Sequence, residues 1–190
     1  MNDLSLYFET GWHHIIGWDA LDHILFIVTL TAIYLPQNWK QVLILVTAFT
    51  FGHSVTLALS VYDIVRVNER LVELLIPLTI LATAGFNLAA DRFSKKSLRL
   101  NYLLALFFGL IHGLGFANTI RFMLSQNQNI GWPLLSFNVG LEVGQIVIVI
   151  IILILNFICI SKLNVKQTWW IGTLSVIAML LSLKMIVERL

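Results

Sequence analysis

Gly17-Trp-Asp-Ala-Leu-Asp-His-Ile-Leu-Phe26 carries two carboxylates and an imidazole into an apolar run that continues to Leu35. At about 100° of rotation per residue, Asp19, Asp22 and His23 fall within roughly a third of one helical face, so all three can address one neighbour. An ionisable group in hydrocarbon costs roughly 3 kcal/mol on insertion scales and is seldom kept without a use. Partners for these groups exist elsewhere in the chain, because His53, His112 and Glu142 also lie inside apolar runs.

Composition places this stretch in a membrane. Of 190 residues, 58% are hydrophobic and only 12% charged, and the mean hydropathy is +0.88. A soluble domain of this size needs more polar surface than that. The net charge of +2, with basic residues confined to short gaps between apolar runs, offers no footprint for nucleic acid. One cysteine, Cys159, excludes an internal disulfide and a multi-cysteine metal cluster.

Six apolar segments follow in order: Asp19–Leu35, Lys40–Tyr62, Arg70–Ala90, Leu100–Ile120, Trp132–Ile160 and Thr168–Val187. Each is near or above the roughly 20 residues a helix needs to cross a bilayer. The sequence therefore predicts an all-α, polytopic integral membrane protein with six transmembrane helices in a single domain over 1–190. Residues 19–187 form the bundle. Residues 1–18, where Tyr7-Phe-Glu-Thr-Gly-Trp-His-His-Ile-Ile16 mixes aromatic and polar groups, read as a short interfacial arm, with His13 and His14 as interfacial residues. Seven basic residues (Lys40, Arg92, Lys95, Lys96, Arg99, Lys162, Lys166) fall after spans one, three and five, against five (Arg66, Arg70, Arg121, Lys184, Arg189) on the other side. The positive-inside rule then predicts a multi-pass protein of the inner (plasma) membrane with both termini outside the cytoplasm.

Depth brings the polar groups to one level. With 1.5 Å of rise per residue, His53 lies about 12 Å from the outer end of its span, His112 about 10 Å and Glu142 about 13 Å. Asp22, His23 and Glu73 lie about 5–6 Å below the outer starts of theirs. A common depth in the outer half of the bilayer is what a shared site requires. Thr47, Thr50, His53 and Ser54 occupy about a third of a helix circumference, a hydroxyl-lined stripe able to orient an imidazole. Asn138, Glu142 and Gln145 share a face at i, i+4 and i+7. Ala105, Gly109, Gly113 and Ala117 form a small-residue ridge beside His112.

Neutral imidazoles and carboxylates in this pattern suit a divalent transition metal such as Ni²⁺, Co²⁺ or Zn²⁺. The expected ligand set is His23, His53, His112, Asp22 and Glu142, supported by Asp19, Ser54, Glu73, Asn138 and Gln145. The plainer alternative is an Asp–His and Glu–His hydrogen-bond network that only ties helices together.

Asp22-His-Ile-Leu-Phe26, Thr50-Phe-Gly-His-Ser-Val-Thr-Leu57, Val72-Glu-Leu-Leu-Ile76, Phe108-Gly-Leu-Ile-His-Gly-Leu-Gly-Phe-Ala117 and Phe137-Asn-Val-Gly-Leu-Glu-Val-Gly-Gln145 resemble, in that order, the HupE/UreJ family of hydrogenase and urease accessory membrane proteins, in particular its second branch. The resemblance implies nickel or cobalt permeases associated with metalloenzyme maturation, and places His23, His53, His112, Glu142 and Asp22 on the family's polar motif positions. In this chain His14 precedes His23 by nine residues with Asp19 between, where permease members carry a tighter, His-Pro-led motif.

Three functions fit these residues. The first is a metal permease. The second is an intramembrane zinc hydrolase acting on a lipid or acyl substrate, with Glu142 or Asp22 as general base. The third is a metal-binding accessory subunit without transport. The expected partners are the metal ion and the lipid bilayer, together with homo-oligomers or metalloenzyme-maturation proteins.

Overall fold

The computed structural model describes residues 3–17, 20–89, 98–124 and 130–190, which form helices with no strand among the described residues. In chain order these are α1 (Asp3–Ile16), α2 (Leu21–Thr31), α3 (Trp39–Val61), α4 (Glu69–Ala89), α5 (Leu98–Gly115), α6 (Ala117–Leu124), α7 (Gly131–Asn156) and α8 (Gln167–Arg189). A 3-10 turn at Pro36–Asn38 opens α3, with proline at the position where its missing N–H costs nothing. A π-helical turn, Phe157–Lys162, closes α7.

Four of these elements, over 36–61, 69–89, 131–162 and 167–189, are long and apolar enough to cross a membrane. The pair α1 and α2, whose axes meet at 65°, makes a fifth when read as one broken span. The apolar part of α5 is shorter, Asn101–Gly115. The described helices thus make a multi-pass membrane protein of four or five long apolar helices, and the expected count of six is reached only if α5 also crosses.

The N-terminal segment departs from the interfacial arm expected over 1–18. It is a 14-residue helix packed lengthwise on α7, and α2 supplies only the second half of the broken element. Small residues explain the difference. A methyl group on Gly140 would meet the Phe8 carbonyl, one on Gly11 would meet the Phe137 carbonyl, and one on Gly144 would touch Trp12 and Ile15. Ser136 Oγ donates to the Leu4 carbonyl at 2.6 Å. The pairs Leu4–Ser136, Phe8–Gly140 and Trp12–Gly144 keep a constant offset, so α1 and α7 run parallel in near-backbone contact.

The second close pair is α3 and α5. The predicted ridge of α5 faces α3, where a methyl on Gly109 would meet the Phe49 backbone and one on Gly113 the His53 carbonyl and the Thr56 hydroxyl. At the far end of the bundle the last turn of α2 and the residues just after it are held by amides. Asn87 Nδ2 donates to the Thr29 carbonyl at 2.7 Å, Asn101 Nδ2 to Tyr34 Oη at 3.0 Å and Gln167 Nε2 to the Ile33 carbonyl at 3.1 Å. These amides lock helices together.

Because Gly113 touches backbone while Gly172 of α8 has nothing within 4 Å of an added Cβ, the two sites separate packing from propensity. Gly113→Leu should lower stability by about 1–3 kcal/mol, as overpacking does, whereas Gly172→Leu should leave it unchanged or raise it. Thermal unfolding in detergent, followed by helical circular dichroism, checks both.

Candidate metal centre

His23 sits in the first turn of α2 and is fixed from one side. Its backbone N–H and its Nδ1–H both donate to Asp22 Oδ1, at 2.8 and 2.9 Å. That tautomer leaves the Nε2 lone pair free. His112 is fixed in the same sense by its own helix, Nδ1–H donating to the Phe108 carbonyl at 2.8 Å. Its Nε2 is likewise free.

Asp22 is held by the far end of the chain, and a proline explains how. Pro77, inside α4, lacks the N–H that would bond the carbonyl of Glu73, four residues back. Arg189 Nη1, at the end of α8, donates to that carbonyl at 2.6 Å, and its Nη2 lies 3.6 Å from Asp22 Oδ2. Arg70 Nη2 donates to the Leu190 carbonyl at 2.7 Å, clamping the same helix end. The order is therefore Pro77, Arg189, Asp22, His23, each fixing the next.

Four imidazoles meet here from α1, α2, α3 and α5. Ring centroids are 4.7 Å apart for His14–His23, 5.9 Å for His14–His53, 6.1 Å for His23–His53 and 5.0 Å for His23–His112. One ring nitrogen from each of His14, His23 and His53 lies within 4.8 Å of the others. Nε2 of His14, His23 and His112 and both nitrogens of His53 are buried with no hydrogen-bond partner among the described residues. His53 is 0%, His112 1% and His23 4% exposed. A buried polar atom left unpaired costs about 1–3 kcal/mol, so several in one place call for a common partner.

The donor set fits a first-row transition metal. Imidazole nitrogen at about 2.0–2.1 Å is a common donor for Zn²⁺ and also suits Ni²⁺ and Cu²⁺, and the nitrogens of His14, His23 and His53 lie close enough for one ion to draw them together, with His112 beside His23 but outside that group. Asp22 behind His23 is the carboxylate that orients a metal-binding histidine and raises its basicity. Phe116, 3.9 Å from His14, and Phe49, 5.1 Å from His112, provide an apolar wall. His14, His23 and His112 line a cavity of about 550 Å³ that also reaches Glu73 and Arg189, whereas the fully buried His53 is not part of its lining.

Of the residues expected from sequence, His23, His53, His112 and Asp22 come together. Glu142 does not join them: it is half-buried on α7, accepts a hydrogen bond from Thr47 Oγ1 at 2.9 Å and is not in the group whose ligand atoms converge. Gln145 accepts from Thr50 Oγ1 at 2.6 Å, and Ser54 donates to the Thr50 carbonyl of its own helix. The hydroxyl stripe of α3 thus ties α3 to α7. Asn138 keeps a buried, unpartnered Oδ1 but lies outside the imidazole group. Glu73 lines the cavity, and Asp19 lies outside the described residues. His14 is the addition. The signal for it was Gly11, three residues earlier, on the face of α1 that packs against α7, where Gly140 and Gly144 stand at helical spacing.

A family model described as HupE / UreJ protein matches residues 1–189, so the chain belongs to the HupE/UreJ family, which is associated with nickel handling in membranes. No curated protein and no solved structure matches it.

Asp22→Asn preserves shape but removes the charge behind His23. Affinity for Ni²⁺ or Zn²⁺ in competition with a coloured chelator should fall about 10–100-fold with little change in folding. An unchanged affinity would mean that His23 is not a ligand.

Proposed function

We propose that this HupE/UreJ family member is a divalent transition-metal permease of the Ni/Co type, loaded from the extracytoplasmic side. The reading is supported by the unpartnered imidazole nitrogens gathered from four helices, three of which bring a histidine to the lining of one cavity. A structural network would have paired those nitrogens with carboxylates or carbonyls. The Lys and Arg distribution supports an orientation with the termini, and with them the cavity end of the bundle, outside the cytoplasm. With α5 crossing as the sixth span, the site lies in the outer half of the bilayer.

Below the imidazoles the path is shut. Phe26 lies 4.9 Å from Phe49, 5.5 Å from Phe108 and 5.3 Å from His112, ring centre to ring centre, and is fully buried. A site open on one side and sealed by aromatic rings on the other is half of an alternating-access cycle, and release inward requires Phe26 to leave its neighbours. The hydrolase reading has less support. Asp22 is committed to His23 and Glu142 to Thr47, so neither expected base stands beside the imidazoles with a free oxygen for water. The accessory-subunit reading shares the site and differs only in flux.

Proteoliposomes holding a fluorescent metal indicator separate these outcomes. Ni²⁺ or Co²⁺ added outside should enter with the wild type and fall to the protein-free background with His53→Ala or His14→Ala. Tight binding of one ion without entry would exclude a permease and favour the accessory subunit.

A further inference from the structure

Two cavities follow one another along the same three helices. The first, described above, is lined by His23 of α2, Ile76 of α4 and His112 of α5. The second has a volume of about 40 Å³, enough for a few waters, and is lined by Leu30 of α2, Thr83 and Asn87 of α4 and Phe108 of α5. It lies toward the far end of the bundle, where Asn87 holds the last turn of α2. The step between the cavities is short on every helix. His112 to Phe108 is one turn, about 6 Å, and His23 to Leu30 and Ile76 to Thr83 are about 10 Å each.

Side chains make up the barrier. Phe26, Thr79 and Ile80 fall within those intervals and are buried. The Phe26 ring stands 5.3 Å from His112 of the first cavity and 5.5 Å from Phe108 of the second, centre to centre. Other seams around the imidazoles are closed more firmly. α1 meets α7, and α3 meets α5, through backbone at glycines, and α3 is tied to α7 by Thr47 to Glu142 and Thr50 to Gln145 hydrogen bonds. Between α2, α4 and α5 the meeting atoms are side chains, Phe26 with Phe108 and the Ile76 methyl with Gly115, and side chains can turn aside without moving a helix.

The same seam carries oxygens. Thr79 Oγ1 donates to the Ile76 carbonyl at 2.7 Å and Thr83 Oγ1 to the Thr79 carbonyl at 2.8 Å, so each hydroxyl spends its proton on its own helix and keeps oxygen lone pairs. Asn87 Nδ2 donates to the Thr29 carbonyl, and its Oδ1 has no hydrogen-bond partner among the described residues. Thr79, Thr83 and Asn87 recur every four residues, a line of acceptors on one face of α4 that runs from beside Ile76 into the second cavity. Oxygens in a row are what a cation needs in exchange for its waters as it crosses an apolar constriction.

We infer that the ion leaves inward between α2, α4 and α5, past the Phe26 and Phe108 rings and along the α4 oxygens, with the second cavity as its inner vestibule. This rests on the permease reading and names the route of its inward step. His112 Nδ1–H donates to the Phe108 carbonyl, so a liganding ring and a gating ring ride on one turn of α5, and a shift of that turn loosens both.

Filling the vestibule tests the route. In proteoliposomes with an internal metal indicator, Co²⁺ entry through Thr83→Leu and Leu104→Trp should fall at least tenfold, while Co²⁺ binding by equilibrium dialysis stays within about twofold of the wild type. Wild-type entry through both filled variants overturns the route and leaves the permease standing; no entry with the wild type removes both. A second measurement does not depend on how the larger side chains are accommodated. With Cys159, the only native thiol, replaced by serine, Thr83→Cys should react with a membrane-impermeant maleimide applied to the cytoplasmic face in inverted vesicles. A thiol at 83 that stays unreactive from that face, with and without Co²⁺, overturns the vestibule.

Discussion

Imidazole nitrogens that are buried and unpaired are the constraint from which the rest of this structure follows. Among the described residues no carbonyl or carboxylate pairs with them, and each one left so costs free energy. The fold nevertheless spends four helices on bringing them together. Hydrogen bonds on the far side of two rings aim the remaining lone pairs inward, Asp22 for His23 and the Phe108 carbonyl for His112. Such an arrangement is stable only with a cation in its middle or as a state waiting for one.

Backbone contact makes that convergence possible. Helices bearing large side chains would stand about 8–10 Å apart. Glycines at 11, 140 and 144 bring α1 onto α7, and those at 52, 109 and 113 bring α3 onto α5. His14 follows Gly11 by three residues and His112 immediately precedes Gly113, so each ring is carried by a close contact. Pro77 contributes by omission, since the hydrogen bond it cannot make frees the carbonyl that receives Arg189. Function and packing are thus written in the same few positions.

Much of this was legible in the chain. The common depth of His23, His53 and His112 in three apolar runs foretold their meeting, and the small-residue spacing of α5 foretold a close neighbour. Glu142 misled because periodicity gives the face a residue shares with its helix neighbours but not the helix that face meets; it meets Thr47 of α3. His14 was hidden for the opposite reason. Aromatic and polar residues are mixed in residues 7–16, which by composition alone suits an interface, and only the complementarity of Gly11 with Gly140 and Gly144 shows that the segment is packed. The Arg189 to Asp22 contact joins residues 167 positions apart, and no local pattern encodes it.

The central claim is that several imidazoles share one ion. X-ray absorption at the K-edge of bound Ni²⁺ or Zn²⁺ in the purified protein reads this directly. A nearest shell of nitrogen and oxygen only, at about 2.0–2.1 Å, with outer-shell scattering from at least three imidazole rings, is the expected result. A shell of oxygens without imidazole scattering would contradict it.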